Sequence, residues 1–500
     1  MFHIIKSIYD YTTYSIIIND KLTPKYSNYR GIKQGDTLST LLFNIYINDL
    51  PEYISKDINE AVVIDNTRLN SLMFADDLVL ICTSSNDLQQ SIDNLSKYCK
   101  KWDLKINIKK TKIVTFSKTG KIETINHEID GTNIEKTTEY KYLGFVFTSN
   151  GSMTTGISRL TKQGQKAWFS IQRYLLACKH KTIHTWLKLF DILVKPILLY
   201  ACEAWGEDTY YDLKDASPTF KDPFEKLQLK ICKQILGVHR KTMNIPVLAE
   251  LGRFPLKISI DTQMIKYFIR FSNISDDRHM YKIYKESLKP ENLPKNKWFS
   301  YIKRITEESG LANIWIEQIN GYNRQKSTNN IANTFQQRLK DIYSQNAIRY
   351  INKDENSEGG KMQFLRQLKD TYSFETYLNI ENDQHRKSIS QIRLSSHRLA
   401  IETGRWQKIP KENRLCKYCN KCAIESESHF IFECQSYSLG RTIMFDFIKE
   451  KIDLNFHKSP CLILSPMQIL KSLFKFGELS SLNSFGKYIF ESLKIRTMPP

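Results

Sequence analysis

The sequence has no long apolar run that is free of charged residues, which is the pattern that a membrane-spanning helix requires. Its most apolar long segment, residues 186–205, contains Lys188, Asp191, Lys195 and Glu203, so we expect a buried helix in water there. The amino end mixes Lys, Asp and Asn with its apolar residues, unlike a secretion signal. We therefore expect an intracellular protein, nuclear or cytoplasmic, with no membrane partner.

Acidic residues and cysteines are also scarce. The sequence has 53 Asp and Glu against 73 Lys and Arg, a net charge of +20. This surplus favours nucleic acid as a partner, because lysines along a groove release counterions from phosphate backbones. The 10 cysteines are scattered except for one cluster, which argues against a disulfide framework and fits a reducing compartment. The 41% apolar and 12% aromatic content are those of a globular protein.

Two adjacent carboxylates, Asp76 and Asp77, lie between short apolar runs in residues 72–82. The length and composition of these runs predict two buried strands joined by a tight turn. Neighbouring carboxylates in or near a core repel each other and lose hydration, so the pair predicts a bound cation. Their hard oxygen ligands favour Mg²⁺, completed by substrate phosphates. For the dipeptide alone, a solvated turn is the alternative interpretation.

Further motifs surround this pair along the chain. Residues 30–39 read Arg-Gly-Ile-Lys-Gln-Gly-Asp-Thr-Leu-Ser, and an apolar helical run over 41–50 follows that we expect to end at Pro51. Downstream, residues 102–112 read Trp-Asp-Leu-Lys-Ile-Asn-Ile-Lys-Lys-Thr-Lys, and residues 140–145 read Tyr-Lys-Tyr-Leu-Gly-Phe. This ordered set resembles the palm of reverse transcriptases, most closely that of non-LTR (LINE-type) retrotransposons.

The resemblance implies that Asp76 and Asp77 are catalytic Mg²⁺ ligands in a site where two metals clamp the attacking and leaving oxygens. Such palms take a further Asp from an earlier strand, several tens of residues before the glutamine-glycine element. Here only 30 residues precede Gly31, and neither Asp10 nor Asp20 ends an apolar strand of the right kind. We therefore expect a chain that is truncated at its amino end and starts within the palm. It would lack the first catalytic Asp and the fingers, so we expect that it does not polymerise DNA alone.

The resemblance also implies contacts with the nucleotide. Gln34 and Gly35 match the element that lets the backbone approach the template and the incoming nucleotide, for which a residue without a side chain is suited. Asn107 and Lys112 match the motif that follows the carboxylates. A lysine near the triphosphate there stabilises or protonates the leaving pyrophosphate, so Lys112 is a candidate catalytic residue.

Primer contacts are implied at two places. Phe74 and Ala75, which immediately precede the carboxylates, are implied to lie beside the primer end. Leu143 and Gly144 match the hairpin that grips the primer.

The helical pattern after residue 150 resembles the thumb of these polymerases. In one of its helices we expect Asp222 as the N-cap, Pro223 in the first turn, Glu225 completing a capping box and Gly237 as the stop. Solvated lysines on an ordinary amphipathic bundle are the alternative to nucleic-acid contacts here. The basic residues implied to follow a primer–template duplex are Lys226, Lys230, Lys233, His239, Arg240 and Lys241.

Near the carboxyl end, Cys416, Cys419, His429 and Cys434 have the spacing Cys-x₂-Cys-x₉-His-x₄-Cys. Three thiolates and an imidazole form a closed tetrahedral site, so a zinc there would be structural. Buried structural cysteines with a surface histidine are the alternative, and Cys422 could replace Cys416 because it also has ligand spacing from Cys419. The arrangement resembles the zinc knuckle of non-LTR reverse transcriptases, which is implied to help hold template RNA or target DNA. The basic residues expected to supply phosphate contacts beside it are Arg393, His397, Arg398 and Arg405.

These patterns predict an α+β protein with five parts: a partial reverse-transcriptase palm with an antiparallel sheet and helices (1–150), a helical thumb (151–260), a helical connection (261–390), a zinc-knuckle region (391–440) and a helical carboxyl-terminal tail (441–500). The implied function is RNA-directed DNA polymerisation with an RNA template, a DNA primer or target, deoxynucleoside triphosphates, Mg²⁺ and structural Zn²⁺. A non-catalytic RNA- or DNA-binding protein derived from such an element, or a decayed gene copy, is the alternative.

Overall fold

The computed structural model describes residues 2–10, 12–27, 31–33, 35–58, 62–64, 67–120, 125–177, 182–209, 220–276, 278–321, 327–353, 361–455 and 465–496. They fall into two compact units, residues 1–138 and residues 139–500. In these ranges, none of the helices combines the length and the apolar character needed to cross a bilayer. Helices and small sheets occur together, which confirms the predicted α+β class.

The amino-terminal unit pairs short strands around a few helices. Its helices are α1 (Phe2–Asp10), α2 (Thr37–Tyr46), α3 (Leu50–Ile54) and α4 (Ser85–Lys101). Its strands are β1 (Thr13–Tyr14), β2 (Ile17–Ile18), β3 (Lys21–Leu22), β4 (Tyr26–Ser27), β5 (Val62–Ile64), β6 (Thr67–Leu69), β7 (Ser71–Phe74), β8 (Asp77–Leu80), β9 (Lys112–Ile113), β10 (Glu128–Ile129), β11 (Thr132–Asn133) and β12 (Glu135–Lys136). In the described residues they form two-stranded sheets, antiparallel in β1–β4, β2–β3, β5–β6, β7–β8 and β10–β11 and parallel in β9–β12.

The expectation of one helix ending at Pro51 was wrong. The Asp36 side chain caps α2 by accepting a hydrogen bond from the Leu38 amide, and α2 ends at Tyr46. Pro51 lies in the first turn of α3, where the missing amide hydrogen of a proline costs no helical hydrogen bond.

Helix α4 organises the core of this unit. Its buried Tyr98 packs with Ile47, Leu50 and Ile54 and donates a hydrogen bond to Asp49 Oδ1 at 2.5 Å. Leu78 and Leu80 of β8 pack against this cluster, and Leu80 also packs against a second cluster formed by Ile92, Ile129 and Ile134. These contacts fix one face of the β7–β8 hairpin against the helices.

The carboxyl-terminal unit begins with a hairpin and is otherwise largely helical. Its hairpin strands are β13 (Glu139–Tyr142) and β14 (Phe145–Thr148). Its helices are α5 (Thr154–Ala177), α6 (Ile183–Leu189), α7 (Lys195–Leu198), α8 (Cys202–Trp205), α9 (Pro223–Leu236), α10 (Asn244–Glu250), α11 (Leu256–Arg270), α12 (His279–Ser287), α13 (Lys297–Glu308), α14 (Ala312–Ile319), α15 (Thr328–Asn352), α16 (Gln363–Leu368), α17 (Asp383–Arg393), α18 (Ala400–Trp406), α19 (Ser438–Asn455), α20 (Pro466–Phe476) and α21 (Leu479–Ile495). One hydrophobic core runs through this unit, from Phe145 to Ile489.

Helix α9 has the predicted bounds, because it starts at Pro223 and ends before Gly237, whose φ is +68°. The predicted capping box was wrong. Glu225 is fully buried and caps a different helix, since its Oε1 accepts a hydrogen bond from the Lys257 amide at 2.9 Å in the first turn of α11. Lys233 is also buried, where its Nζ donates to the Arg240 carbonyl and to Asn244 Oδ1, so it does not belong to the basic face.

Candidate functional site

The two carboxylates lie at the tip of the predicted hairpin. Strands β7 and β8 are antiparallel, with Phe74 opposite Asp77 and Leu72 opposite Val79. Ala75 and Asp76 form the two-residue turn, and Ala75 has a φ of +53°. A positive φ at the first turn position is typical of turns that match the twist of paired strands.

The hairpin differs from the prediction in its burial. Side chains alternate between the faces of paired strands, so Leu72, Phe74, Asp77 and Val79 share the face opposite Leu78 and Leu80. Phe74 is 63% exposed and Leu72 is 43% exposed, so the expectation of two buried strands was wrong. The apolar sequence indicated burial on both faces, whereas only one face packs on the helices.

This exposure changes the electrostatics of the carboxylate pair. Asp76 and Asp77 are both exposed, so water hydrates them and no buried repulsion demands a cation. The adjacent carboxylates still fit a Mg²⁺ ion that keeps water ligands and takes the rest from phosphates. Within the described ranges, no cluster of three or more His, Cys, Asp or Glu ligands includes either residue.

The predicted nucleotide-contacting residues are only partly described. Lys112 opens β9 and forms an ion pair with Glu135 of the neighbouring strand, with its own side chain 21% exposed. Asn107 is exposed, and its side-chain oxygen accepts a hydrogen bond from the Lys110 amide. Gly35 has a φ of +82°, and a Cβ there would meet no atom within 4 Å, so backbone conformation rather than crowding favours glycine. Gln34 lies outside the described residues.

A second predicted hairpin is present in the carboxyl-terminal unit. Leu143 and Gly144 form the two-residue turn between β13 and β14, with φ of +44° and +86°. Tyr200 holds this turn, because its hydroxyl donates to the Leu143 carbonyl at 2.5 Å. A Cβ at Gly144 would lie 3.1 Å from the Tyr200 ring, so both φ and packing favour glycine. Sequence spacing alone did not identify Tyr200, which is 57 residues away.

The four cysteine and histidine ligands predicted near the carboxyl end lie together. One ligand atom from each of Cys416, Cys419, His429 and Cys434 lies within 4.8 Å of all the others. The Cys416 and Cys434 sulfurs are 3.9 Å apart, and the Cys419 sulfur is 3.4 Å from His429 Nε2. A regular zinc tetrahedron requires about 3.8 Å and about 3.5 Å for such pairs. The donor set and its spacing therefore fit Zn²⁺.

The surroundings of this cluster also suit a metal. His429 Nδ1 lies 3.4 Å from Glu433 Oε2, the type of carboxylate contact that orients a metal-binding imidazole. Burial raises the pKa of the Cys416 thiol to about 12, so metal binding there would displace a proton. Cys422 is exposed and does not belong to the group. From the sequence, Glu433 was only an acidic neighbour of the cluster, and its contact with His429 was not predicted, although its position four residues after His429 was a usable helical signal.

Two of the basic residues expected beside the cluster are structural. Arg393 is fully buried and forms hydrogen bonds with both carboxylate oxygens of Glu250, at 2.9 and 2.8 Å. His397 is buried with its Nε2 3.0 Å from Glu427 Oε1. The expectation that these two contact phosphates was wrong, because neither is accessible to a nucleic acid. Arg398 is exposed, and Arg405 pairs with Glu402.

Residues 1–147 match the model of the family described as reverse transcriptase (RNA-dependent DNA polymerase). The chain is 24% identical over 244 residues to the RNA-directed DNA polymerase from mobile element jockey of Drosophila funebris, covering 47% of this chain and 25% of that protein. It is 26% identical over 186 residues to the probable RNA-directed DNA polymerase from transposon BS of Drosophila melanogaster, covering 35% and 20%.

A third relative is the retrovirus-related Pol polyprotein from type-2 retrotransposable element R2DM of Drosophila melanogaster, 30% identical over 166 residues, covering 29% of this chain and 16% of that protein. The chain therefore spans a quarter or less of the length of these relatives. The carboxylate hairpin lies within the residues that match the family. Residues 1–147 of this chain belong to the reverse transcriptase family, of the type found in non-LTR retrotransposons.

Proposed function

We propose that this chain supplies the metal-binding palm residues and the template-holding surfaces of an RNA-directed DNA polymerase. The observation that carries the proposal is the exposed pair Asp76 and Asp77 on a tight hairpin, inside the segment that matches the reverse transcriptase family. Residues 1–150 are then palm residues and residues 151–260 the thumb. Both hold an RNA template paired with a DNA primer.

Asp76 and Asp77 would hold Mg²⁺, which when bound neutralises charge on the oxygens of the phosphoryl transfer. Phe74 lies opposite Asp77 on the exposed face, so its ring can stack on the primer end beside the metal ligands. Lys112 forms an ion pair with Glu135 in the free protein. A negatively charged triphosphate oxygen could replace the Glu135 carboxylate as the partner of Lys112 when a nucleotide binds. Gln34, Gly35 and Asn107 would line the template and nucleotide side.

This arrangement is incomplete as a two-metal site. Two metal ions need a further carboxylate, and in the described part of the chain Asp76 and Asp77 belong to no ligand cluster of three. We therefore propose that the chain alone binds template–primer but does not extend it. Under this proposal a further Asp must come from outside these residues.

Primer extension on an RNA template with Mg²⁺ tests the polymerase site. We expect no extension by the 500-residue chain, and the Asp76→Ala variant as a matched control should give the same background. Mg²⁺-dependent extension that Asp76→Ala abolishes would contradict the expected inactivity and show a complete site.

Nucleic-acid binding is supported by a basic surface on α5 and α9, which pack against each other. Helix α5 contains no acidic residue, and the one acidic residue of α9, Glu225, is buried. The ring of Phe169, 45% exposed, connects the two helices, since Lys230 Nζ lies 5.6 Å from its centroid. Arg159 of α5 is exposed but pairs with Glu139. The other exposed basic residues of this α5–α9 surface are Lys162, Lys166, Arg173, Lys226 and Lys230.

Binding of an RNA–DNA duplex as a function of salt tests this surface. The double change Lys162→Gln and Lys166→Gln should lower the slope of log K against log salt by about 2, because two phosphate contacts are lost. The matched control is Lys303→Gln with Lys487→Gln, since these lysines lie outside the surface, on α13 and α21, and each pairs with a glutamate of its own helix. An equal loss in both double variants would mean that binding reflects net charge and not this surface.

The runner-up is a non-catalytic nucleic-acid-binding protein derived from such an element, favoured by the absence of a three-ligand carboxylate cluster around Asp76 in the described residues. The two proposals predict different results when a third carboxylate is supplied by a second polypeptide. If a separately added amino-terminal palm and fingers segment from a relative restores extension with this chain, and Asp76→Ala abolishes it, the polymerase role stands. Binding without any restored extension favours the runner-up.

We also propose that Zn²⁺ bound by Cys416, Cys419, His429 and Cys434 is structural. Four protein ligands leave no open coordination position for a reacting group. The exposed Arg398 beside this region remains a candidate phosphate contact.

A further inference from the structure

A cavity of about 160 Å³ lies in the carboxyl-terminal unit, away from the carboxylate hairpin in sequence. Its walls come from residues 191–195, which end at the first residue of α7, from α9, from residues 252–259, which include the start of α11, and from α15. The residues on which its chemistry depends are Asp191, Lys195, Gln228, Arg253 and Lys340. Nothing in the proposed polymerase function uses this cavity.

The cavity has a surplus of positive charge. Arg253 and Asp191 neutralise each other through two hydrogen bonds, at 2.5 and 2.7 Å. The ammonium groups of Lys195 and Lys340 have no ion pair or hydrogen bond with any residue that the structure describes, although Lys340 Nζ lies 5.6 Å from the centre of the Phe254 ring. The three cations and one carboxylate therefore leave a net charge of +2 around this space.

Among the basic groups around the cavity, Lys195 is the one whose charged form is destabilised by its surroundings. Burial lowers its pKa, and the nearby Arg253 and Lys340 lower it further, against the attraction of Asp191. A partly buried cation without a close partner is unfavourable unless an anion binds beside it. The arrangement therefore favours a negatively charged ligand.

Gln228 adds a second requirement. Its side chain is fully buried, and its Nε2 donates to the Phe254 carbonyl at 2.9 Å. Its Oε1 has no hydrogen-bond partner among the described residues, although buried amide oxygens usually have one. A ligand that carries a hydroxyl next to its negative charge would satisfy both Gln228 and the lysines.

We propose that this cavity binds one phosphate group, as free orthophosphate or as a phosphate monoester at the end of a nucleotide or nucleic acid. Orthophosphate that carries one proton combines two negative charges with a hydroxyl, and a phosphate monoester supplies the hydroxyl in its singly charged form, which its second pKa of about 6 allows. A cavity near 150 Å³ holds a group of about benzene size, whereas pockets for drug-sized ligands measure about 300 to 1,000 Å³. The volume therefore suits the phosphate group and not a whole nucleotide.

Calorimetric titration of the full chain with sodium orthophosphate, against sodium chloride at equal ionic strength, tests the proposal. We expect saturable 1:1 binding, and weaker binding of sulfate because sulfate carries no hydroxyl at neutral pH. Lys195→Met should weaken phosphate binding by about tenfold or more, the effect of losing one charge-assisted hydrogen bond. Lys303→Gln, on α13 outside the cavity, is the matched control.

The Lys195→Met variant is expected to fold, because it replaces an uncompensated cation with an apolar chain of similar length. If its melting temperature falls sharply, Lys340→Gln serves as the second variant. The proposal is overturned if wild-type protein responds to phosphate as it does to chloride, if sulfate binds as tightly as phosphate, or if the folded variants retain full phosphate affinity.

Competition identifies the source of the phosphate. Oligonucleotides with a 5′-phosphate and with a 5′-hydroxyl are added to protein that carries Lys162→Gln and Lys166→Gln, so that binding to the α5–α9 surface is weakened. Displacement of orthophosphate only by the 5′-phosphate form supports a terminal monoester. Binding of orthophosphate that neither form displaces supports the free anion.

Discussion

Replacing Glu225 with glutamine is expected to remove a pH-dependent loss of stability. Glu225 is fully buried on α9, and burial raises the pKa of its carboxyl group to about 8, with Asp222 adding to the rise and the Lys257 amide and ammonium opposing it. Its Oε1 accepts the Lys257 amide, whereas Oε2 has no partner among the described residues. The protonated acid therefore fits this site, and a glutamine amide has the same shape.

The direction of the pH effect on stability follows from the number of protons that Glu225 binds in the folded and in the unfolded protein. Between the unfolded pKa of about 4.5 and the folded pKa of about 8, the folded protein holds a proton that the unfolded chain has lost. The resulting stabilisation is fully present below the unfolded pKa and is lost as the pH rises through the folded pKa. From about pH 5.5 to about pH 8 the loss integrates to about 3 kcal/mol, at about 1.4 kcal/mol for each pH unit.

Urea unfolding of wild-type and Glu225→Gln protein at these two pH values measures the effect, because other titrating groups cancel in the difference. We expect the wild type to lose about 3 kcal/mol more than the variant on going to the higher pH. Glu307→Gln, whose side chain is 53% exposed, is the control and should follow the wild type. Equal pH dependence in wild type and Glu225→Gln would refute the buried, protonated state of Glu225.

Two further predictions concern the carboxyl-terminal unit. Cys419→Ser should reduce bound zinc from about one equivalent to near zero by mass spectrometry of dialysed protein, while Cys422→Ser keeps it; zinc loss in Cys422→Ser would make Cys422 a ligand. Arg393→Met should lower the free energy of unfolding by about 3 to 5 kcal/mol, because Glu250 stays buried without its main partner. Arg398→Met, an exposed control, should change it by under about 0.5 kcal/mol, and similar values for both would contradict the buried pair.

Sequence reasoning worked best where neighbouring residues determine the structure. The turns at Ala75–Asp76 and Leu143–Gly144, the start of α9 at Pro223 and its end at Gly237 all follow from short-range preferences. The four metal-ligand candidates also lie within 19 residues of sequence, so their spacing was informative.

Sequence reasoning was wrong where a partner distant in sequence determines the role of a charged side chain. Arg393 was expected to face phosphate, but its partner Glu250 is 143 residues away. Glu225 was expected to cap its own helix, but it caps α11, with Lys257 32 residues away. A charged residue on an amphipathic helix is normally solvated, and only the tertiary packing shows which ones are paired inside.

The carboxyl-terminal helix packs onto the metal-ligand loop through both polar and apolar contacts. The Arg496 guanidinium, just after α21, bonds Glu425 and lies 4.6 Å from the centre of the Tyr418 ring. Tyr488 of α21 donates from its hydroxyl to the carbonyls of Phe430 and Ile431, at 3.2 and 3.1 Å. These two carbonyls belong to the turn that carries His429, so a bound metal and α21 hold the same backbone in place. Metal binding to this loop would therefore stabilise the carboxyl-terminal helices as well as the loop itself.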